Sequence, residues 1–398
     1  MSLSSSSSVV MSSLSGGGAN STTTSQQAPS SSPLSKDYLN QICDTFIIHL
    51  QRKKIKGIYN IGKHTAEILR EIVAITKKNV LVQDIIDACR YVGKRLMDAQ
   101  PTMLVIGNVV RRVLFIIRDE FNTYIKQKKP SSKTSPSIRQ STLNISNPAV
   151  SGNLLNLLEM KSDINYAEPI EGDYKATVIE AVNALIDEMD GLYKDISEQA
   201  SEHIHSNEVI LTVGLSHTVE FFLLAAASKG KEFDVIVTEN APSYSGHQMV
   251  LKLSKAGIKT TLISDASVFA IMDRVNKVVI GTHSVMANGG LVAPSGTHLV
   301  ALAAKEKSIP CVVCNGLYKL TPLYPLDQDS FNDRHSPLEI IKLEDGGLLR
   351  DVHILNPAFD YVPPELIDLF ITNVGTHSPS YIYRLLTEYY DRRDYNLD

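Results

Sequence analysis

The spacing of apolar residues changes near Glu208, and no other feature limits the fold as tightly. Ahead of that point apolar residues recur at helical spacing. One stripe is Leu39, Ile42, Cys43, Phe46, Ile47 and Leu50; a second is Ile68, Leu69, Ile72 and Val73; a third is Ile85, Cys89, Val92 and Leu96. The fourth is Val105, Ile106, Val109, Val110, Val113, Leu114 and Ile117, with Pro101 at its start, where a helix tolerates proline. Four amphipathic helices with short connectors predict a bundle. A fifth long helix is expected from Val178, Val182, Leu185, Ile186, Met189, Leu192 and Ile196, joining the bundle to the second half of the chain.

Beyond Glu208, short β-branched runs alternate with helical stretches. The strand candidates are 209–213, 235–238, 260–264, 277–280, 311–314 and 353–355. The helix candidates between them are 218–227, 246–256, 268–274 and 297–305. Continuously apolar strands, each followed by a helix, predict a parallel sheet covered on both faces. The fold class is therefore α/β: an N-terminal helical bundle followed by a Rossmann-like parallel-sheet domain. The expected boundaries are a Ser-rich tail at 1–35, a helical domain at 36–204 and the α/β domain at 205–398. The tail is almost all Ser, Thr, Gly, Gln and Pro, too polar to offset the entropy of ordering, and is expected to be disordered and passive. Residues 126–153, rich in Lys, Ser, Pro and Asn, read as a surface loop.

Bulk properties exclude several classes. A net charge of -4 and a pI near 6.3 do not suit a nucleic-acid binder. Four scattered cysteines, Cys43, Cys89, Cys311 and Cys314, are too few for a disulfide scaffold and fit a reducing cytosol. No apolar run approaches the ~20 residues that cross a bilayer, and no signal peptide is expected.

In such a sheet, ligands bind beyond the carboxyl ends of the strands. The residues to inspect are Gly214 to Ser216, Glu239 to Gly246, Asp265, Gly281 to Gly290 and Asn315. Backbone amides there are suited to holding an anion such as a sugar phosphate. No acid, base or nucleophile stands beside them in a catalytic arrangement. Other motifs carry less. Gly57 to His64 falls one residue short of a P-loop, with His64 where a magnesium-binding hydroxyl is required. Cys311 and Cys314 have redox spacing but fall in an apolar strand, so core packing is expected. His203 and His205 lack further ligands, and no metal or cofactor is assigned. The basic run Arg52, Lys53, Lys54 and Lys56 reads as a solvated face. The aromatic-rich stretch Tyr381, Tyr383, Leu385, Leu386, Tyr389 and Tyr390 is either a subunit interface or the packed side of a last helix.

Four segments in order carry a family resemblance: Asn207 to Gly214, Glu239 to Gly246, Ile280 to Gly290 and Asn356 to Glu365. Together they resemble the aldose-ketose isomerases that act on methylthioribose-1-phosphate or ribose-1,5-bisphosphate. The regulatory alpha, beta and delta subunits of initiation factor 2B are similar to those enzymes by ancestry. The stretches His203 to Glu208, Leu253 to Ile258, Arg274 to Val278 and Pro379 to Arg384 agree best with one branch of these subunits. The resemblance spans nearly all of 36–398. It implies that the isomerases' catalytic cysteine and aspartate correspond to Gly214 and Gly290, and their phosphate-binding arginine to Ala241. It also implies that the backbone-shaping Asn288, Gly289, Gly246 and Pro242 remain, leaving a vestigial pocket at Gly214, Ser216, Gly246, Asn288, Gly289 and Gly290.

The function implied is non-catalytic. Such a chain belongs to a complex with two copies each of alpha, beta, gamma, delta and epsilon subunits, which exchanges GDP for GTP on initiation factor 2. The core senses phosphorylation of that factor's alpha subunit, and catalysis resides in epsilon. An active isomerase and a ligand-sensing pseudoenzyme are the rival readings.

Overall fold

The computed structural model describes residues 36–76, 81–128, 166, 174–327, 329–341 and 351–397. The expected tail at 1–35 and positions 129–153 of the expected loop lie outside the described residues, while residues 126–128 still belong to a helix.

The helical half contains α1 (Lys36–Gln51), α2 (Ile58–Ile75), α3 (Val82–Ala99), α4 (Leu104–Lys128) and α5 (Tyr174–Glu198). The other half runs β1 (Val209–Val213), α6 (His217–Ser228), β2 (Asp234–Thr238), α7 (Ser245–Lys255), β3 (Lys259–Ile263), β4 (Lys277–Gly281), β5 (Ser284–Val285) and β6 (Leu291–Pro294). It continues with α8 (Thr297–Glu306), β7 (Cys311–Cys314), β8 (Phe359–Val362), β9 (Leu369–Thr372), β10 (Gly375–His377) and α9 (Ile382–Tyr389).

Seven strands form the main sheet in the order β10-β9-β7-β4-β1-β2-β3. Every pairing is parallel except β10 on β9. Taken from the β3 edge and in chain order, the first six strands follow 3-2-1-4-5-6, the doubly wound arrangement. The order reverses between β1 and β4, where Ile210 pairs with Lys277 and Leu211 with Val278. A small antiparallel sheet, β5-β6-β8, stands beside it.

Side chains alternate between the two faces of the main sheet, as the period of two requires. Ile210, Val235, Val237, Val279 and Val312 join one core with α1 to α7. Leu211, Ile236, Val278, Ile280 and Val313 join the other with α8 and α9. The bundle therefore shares a continuous core with one face of the sheet.

Two expectations are corrected. Residues 353–355 form no strand; Val352, His353 and Leu355 are exposed, so nothing buries the run, and pairing begins at Phe359. The expected helix 268–274 breaks into a single α turn at Val268–Ile271 flanked by 3-10 turns. The small sheet and the strands β9 and β10 had no expectation.

Candidate functional site at the carboxyl edge of the sheet

The carboxyl ends of β1, β2 and β4 meet at the reversal in strand order. Gly214 follows β1 with a φ of +52°. A Cβ there would lie 2.7 Å from Ser245 Oγ and 3.0 Å from Asn240 Nδ2. Those two groups are already engaged: Ser245 Oγ accepts from Asn240 Nδ2 at 3.0 Å and from the Leu215 N–H at 3.3 Å. Any side chain at 214 would need a left-handed backbone and the displacement of both neighbours.

The loop after β2 is fixed by Asp265. Its two carboxylate oxygens accept from the N–H groups of Asn240 and Ala241 at 3.0 and 2.7 Å. Gly246 opens α7 so close to β2 that a Cβ would fall 2.0 Å from the Thr238 carbonyl oxygen. Gly281 ends β4 directly under Ser216, whose Oγ lies 2.1 Å from where a Cβ of residue 281 would be. The crevice at the strand reversal is thus occupied by the Ser216 side chain.

Gly290 sits in the turn between β5 and β6. Asn288 Oδ1 accepts from its N–H at 3.0 Å, and Asn288 Nδ2 donates to Tyr361 Oη at 2.7 Å. A Cβ at 290 would meet Tyr361 Oη at 2.6 Å. The phenol from β8 therefore fills the space where a side chain of residue 290 would project. Gly289, at a φ of +83°, backs onto the Pro379 carbonyl, 2.9 Å from its added Cβ. Gly214, Ser216 and Gly246 share one neighbourhood with Asn240 and Ser245. Asn288, Gly289 and Gly290 share another with Tyr361 and Pro379. Among the described residues no hydrogen bond joins the two groups.

Sequence reasoning missed Lys319 at this edge, and gave no role to His283 within the marked stretch Gly281 to Gly290. Lys319 is buried after β7, and its Nζ donates to the Thr282 carbonyl at 2.8 Å. Burial lowers its pKa to about 8. His283 is buried against Phe359, ring centroids 4.3 Å apart, with Nε2 3.3 Å from the Thr102 carbonyl. Burial, helped by the charge of Lys319, lowers its pKa to about 4. The available signal was a lysine inside the apolar run Gly316-Leu-Tyr-Lys-Leu320. Asn315 is buried as well, and its Nδ2 reaches the Gly316 carbonyl at 3.3 Å.

The weaker motifs fall where their spacing suggested. Gly57 precedes the first turn of α2, with no strand before it among the described residues. Cys311 and Cys314 belong to opposite faces of the sheet, so they cannot act as a pair. Burial pushes the Cys311 thiol up to about 12. His203 and His205 lie before β1, at the other edge; the Lys277 ammonium donates to the His203 carbonyl, and the His205 N–H donates to Glu208 at 3.0 Å. Among the described residues no group of three or more His, Cys, Asp or Glu is placed to hold a metal. The basic run lies exposed between α1 and α2. Of the aromatic stretch, Leu385, Leu386, Tyr389 and Tyr390 are buried within the chain, while Tyr383 remains 55 % exposed. A cavity of about 520 Å³ opens at the amino ends of β1 to β3, lined by Asn207, Lys231, Asp234 and Lys259 among others. It is on the opposite edge from the glycines.

A doubly wound sheet with a helical bundle on one face and backbone-shaped turns at its carboxyl edge defines the chain as an α/β protein of the doubly wound class. Residues 54–379 match the initiation factor 2 subunit family, and the chain belongs to that family. Translation initiation factor eIF2B subunit beta of Dictyostelium discoideum is 48 % identical over 373 residues, covering 88 % of this chain and 95 % of that protein. The branch indicated by His203 to Glu208 and the companion stretches is thus the beta one. A chain of the tetrameric eIF2B-beta2-delta2 complex from C. thermophilum superposes with a TM-score of 0.63 at 26 % identity, covering 88 % of this chain and 95 % of that one. Ribose 1,5-bisphosphate isomerase of Archaeoglobus fulgidus is 32 % identical over 235 residues, 56 % of this chain and 72 % of the enzyme.

Proposed function

We propose that this chain is a non-catalytic regulatory subunit of the exchange factor that replaces GDP by GTP on translation initiation factor 2. The observation that carries the reading is the state of positions 214 and 290. The resemblance assigns them the isomerases' cysteine and aspartate, the pair that moves protons between sugar carbons. Here both are glycine, one against Ser245 and Asn240 and the other against Tyr361. With no titratable group at either, the family's proton transfer has no carrier. The 48 % identity to a beta subunit over nearly its whole length supports the same reading.

The role then comes through surfaces. The partners are the alpha, gamma, delta and epsilon subunits in a heterodecamer, together with initiation factor 2 in its GDP-bound and phosphorylated forms. The compartment is the cytosol, and neither membrane nor nucleic acid takes part directly. One surface is offered for the delta-type subunit, the companion in the C. thermophilum tetramer. Leu338, Ile340 and Leu355 are exposed beside the bridge between Arg334 and Pro357. The surface is offered on the reading that these three open side chains act together as one apolar contact patch.

Two measurements test the proposal. The purified chain, incubated with ribose-1,5-bisphosphate or methylthioribose-1-phosphate, should give no ketose product; turnover would sink the reading. Co-expression with the delta-type subunit should yield a complex that Leu338→Asp with Leu355→Asp abolishes while the chain stays folded. Full assembly by that variant would remove the surface from the proposal.

A further inference from the structure

Three arginines of α4 are buried, and none of them belongs to the carboxyl edge of the sheet. Arg111, Arg112 and Arg118 are 4, 7 and 5 % exposed. All three turn towards residues 389–395. Arg118 Nε and Nη2 donate to the two carboxylate oxygens of Asp394 at 2.8 and 3.0 Å. Arg90 of α3 donates to the same carboxylate at 2.6 Å and to the Arg393 carbonyl at 3.2 Å. Arg111 Nε donates to the Tyr395 carbonyl at 3.1 Å, and Arg112 Nη1 to the Tyr389 carbonyl at 3.0 Å. The Arg112 guanidinium also lies 4.0 Å from the centroid of the Tyr389 ring.

Asp394 is wholly buried. Its turn is set by Asp391, whose carboxylate accepts from the Arg393 N–H at 2.9 Å and from the Arg393 side chain at 2.6 and 3.0 Å. Tyr166, the one described residue between α4 and α5, is pinned at the same place. Arg118 and Arg393 stand 5.0 and 5.4 Å from its ring centroid, and its carbonyl accepts from the Gln83 N–H at 3.4 Å.

The attachment differs in kind from the rest of the bundle. Along α5 and α6 the bundle meets the sheet mainly through apolar side chains, with the Glu188 carboxylate of α5 accepting from Asn373 Nδ2 at 2.8 Å. By contrast α3 packs on α1, α2 and α4, and Arg90 links it to the other half by hydrogen bonds. A forked guanidinium on a carboxylate is strong and directional. A buried charge is tolerated only while it is paired.

We propose that residues 389–397 form a strap, bolted by Asp394, that holds α3 and the second half of α4 to the sheet half, and whose release loosens that corner of the bundle while the sheet stays intact. The strap makes the α3–α4 face separately adjustable. One carboxylate decides whether two helices and the Tyr166 anchor move as part of the molecule or apart from it.

Amide hydrogen exchange on the full chain tests this, comparing the natural protein with Asp394→Asn. Asparagine keeps the size and removes the charge. Exchange should accelerate by about tenfold or more in α3, in residues 112–128 and in 389–397, with β1, β2, β4 and β7 unchanged. Acceleration spread evenly over the sheet as well would reduce the strap to general stability and overturn the proposal. No change anywhere would overturn it too. Should Asp394→Asn fail to fold, Arg90→Ala removes one partner at the more exposed edge. Its expected signature is faster exchange in α3 and 389–397 alone, judged by the same two contrary outcomes.

Discussion

Two regions of the molecule bury polar groups, and they use them in opposite ways. At the carboxyl edge of the sheet, polar side chains are spent on backbone: buried Lys319 on the Thr282 carbonyl, buried Ser284 on the Lys319 carbonyl, half-buried Asp265 on two amides. Among the described residues no carboxylate pairs with the Lys319 ammonium, and the two key positions are glycine. Under the strap, where Arg111 and Arg112 also meet carbonyls, charge in addition meets charge, with Arg118 and Arg90 on Asp394. The first region keeps the shape of a ligand site without charges aimed at a ligand. The second holds charges aimed at one another. Burial alone therefore does not mark a functional centre; what the buried charge faces does.

The strap offers the largest effect. Arg118→Met strands the Asp394 carboxylate with a single partner, and losing one member of a buried pair costs about 3 kcal/mol or more. The denaturant midpoint should fall accordingly. Arg118→Met combined with Asp394→Leu should recover most of the loss, because the buried carboxylate goes together with its buried partner, while Arg90, 31 % exposed, can turn to water. If the double substitution is as damaging as the sum of the single ones, the pairing argument breaks.

Gly246→Ala ranks next and probes the other region. The added methyl would stand 2.0 Å from a backbone carbonyl that cannot swing aside. Such overpacking costs about 1–3 kcal/mol and sometimes more. Thermal unfolding should show a lowered Tm. An unchanged Tm would mean that α7 lifts freely off β2, and that the glycine records no packing need.

The two regions were also unequally legible in the sequence. The carboxyl edge could be found because Gly214 directly follows a run that reads as a strand, and Gly246 and Asn288 to Gly290 lie in the segments that follow two further runs of that kind. The occupants of the pocket could not: Tyr361 reaches Gly290 from β8, and only the folded chain brings them together. Residues 353–355 misled because a short apolar run is no strand without something to bury it. The arginines of α4 were passed over for a related reason. Arg111, Arg112 and Arg118 stand in a long amphipathic helix, and nothing in the helix itself marks them as buried. Their partners lie 276 to 284 positions away in sequence, beyond the reach of any local pattern.

A pH experiment sharpens the comparison at the carboxyl edge. His283 is held neutral by burial, its pKa lowered from 6.5 to about 4. Between those values the unfolded chain takes up a proton that the folded chain refuses. Stability should therefore fall as pH drops from 6.5 towards 4, by up to about 1.4 kcal/mol per pH unit from this residue. His283→Phe should flatten that part of the curve relative to the natural protein. Equal slopes for the two would mean that His283 is protonated without penalty, and that the edge is wetter than its burial implies.

The smallest effect comes from a charge pair that is not buried. Lys53, in the basic run, reaches Asp333 at 3.5 Å with 65 % of its side chain open to solvent. Exposed pairs of this kind contribute about 0–1 kcal/mol because water and salt screen them. Lys53→Ala should move the denaturant midpoint by less than the scatter between repeat measurements, whereas Arg118→Met moves it far outside. Both remove one cation that faces one aspartate across the two halves. If Lys53→Ala were nearly as costly as Arg118→Met, the separation between buried and open charge would fail, and the strap would be one more surface contact rather than the bolt.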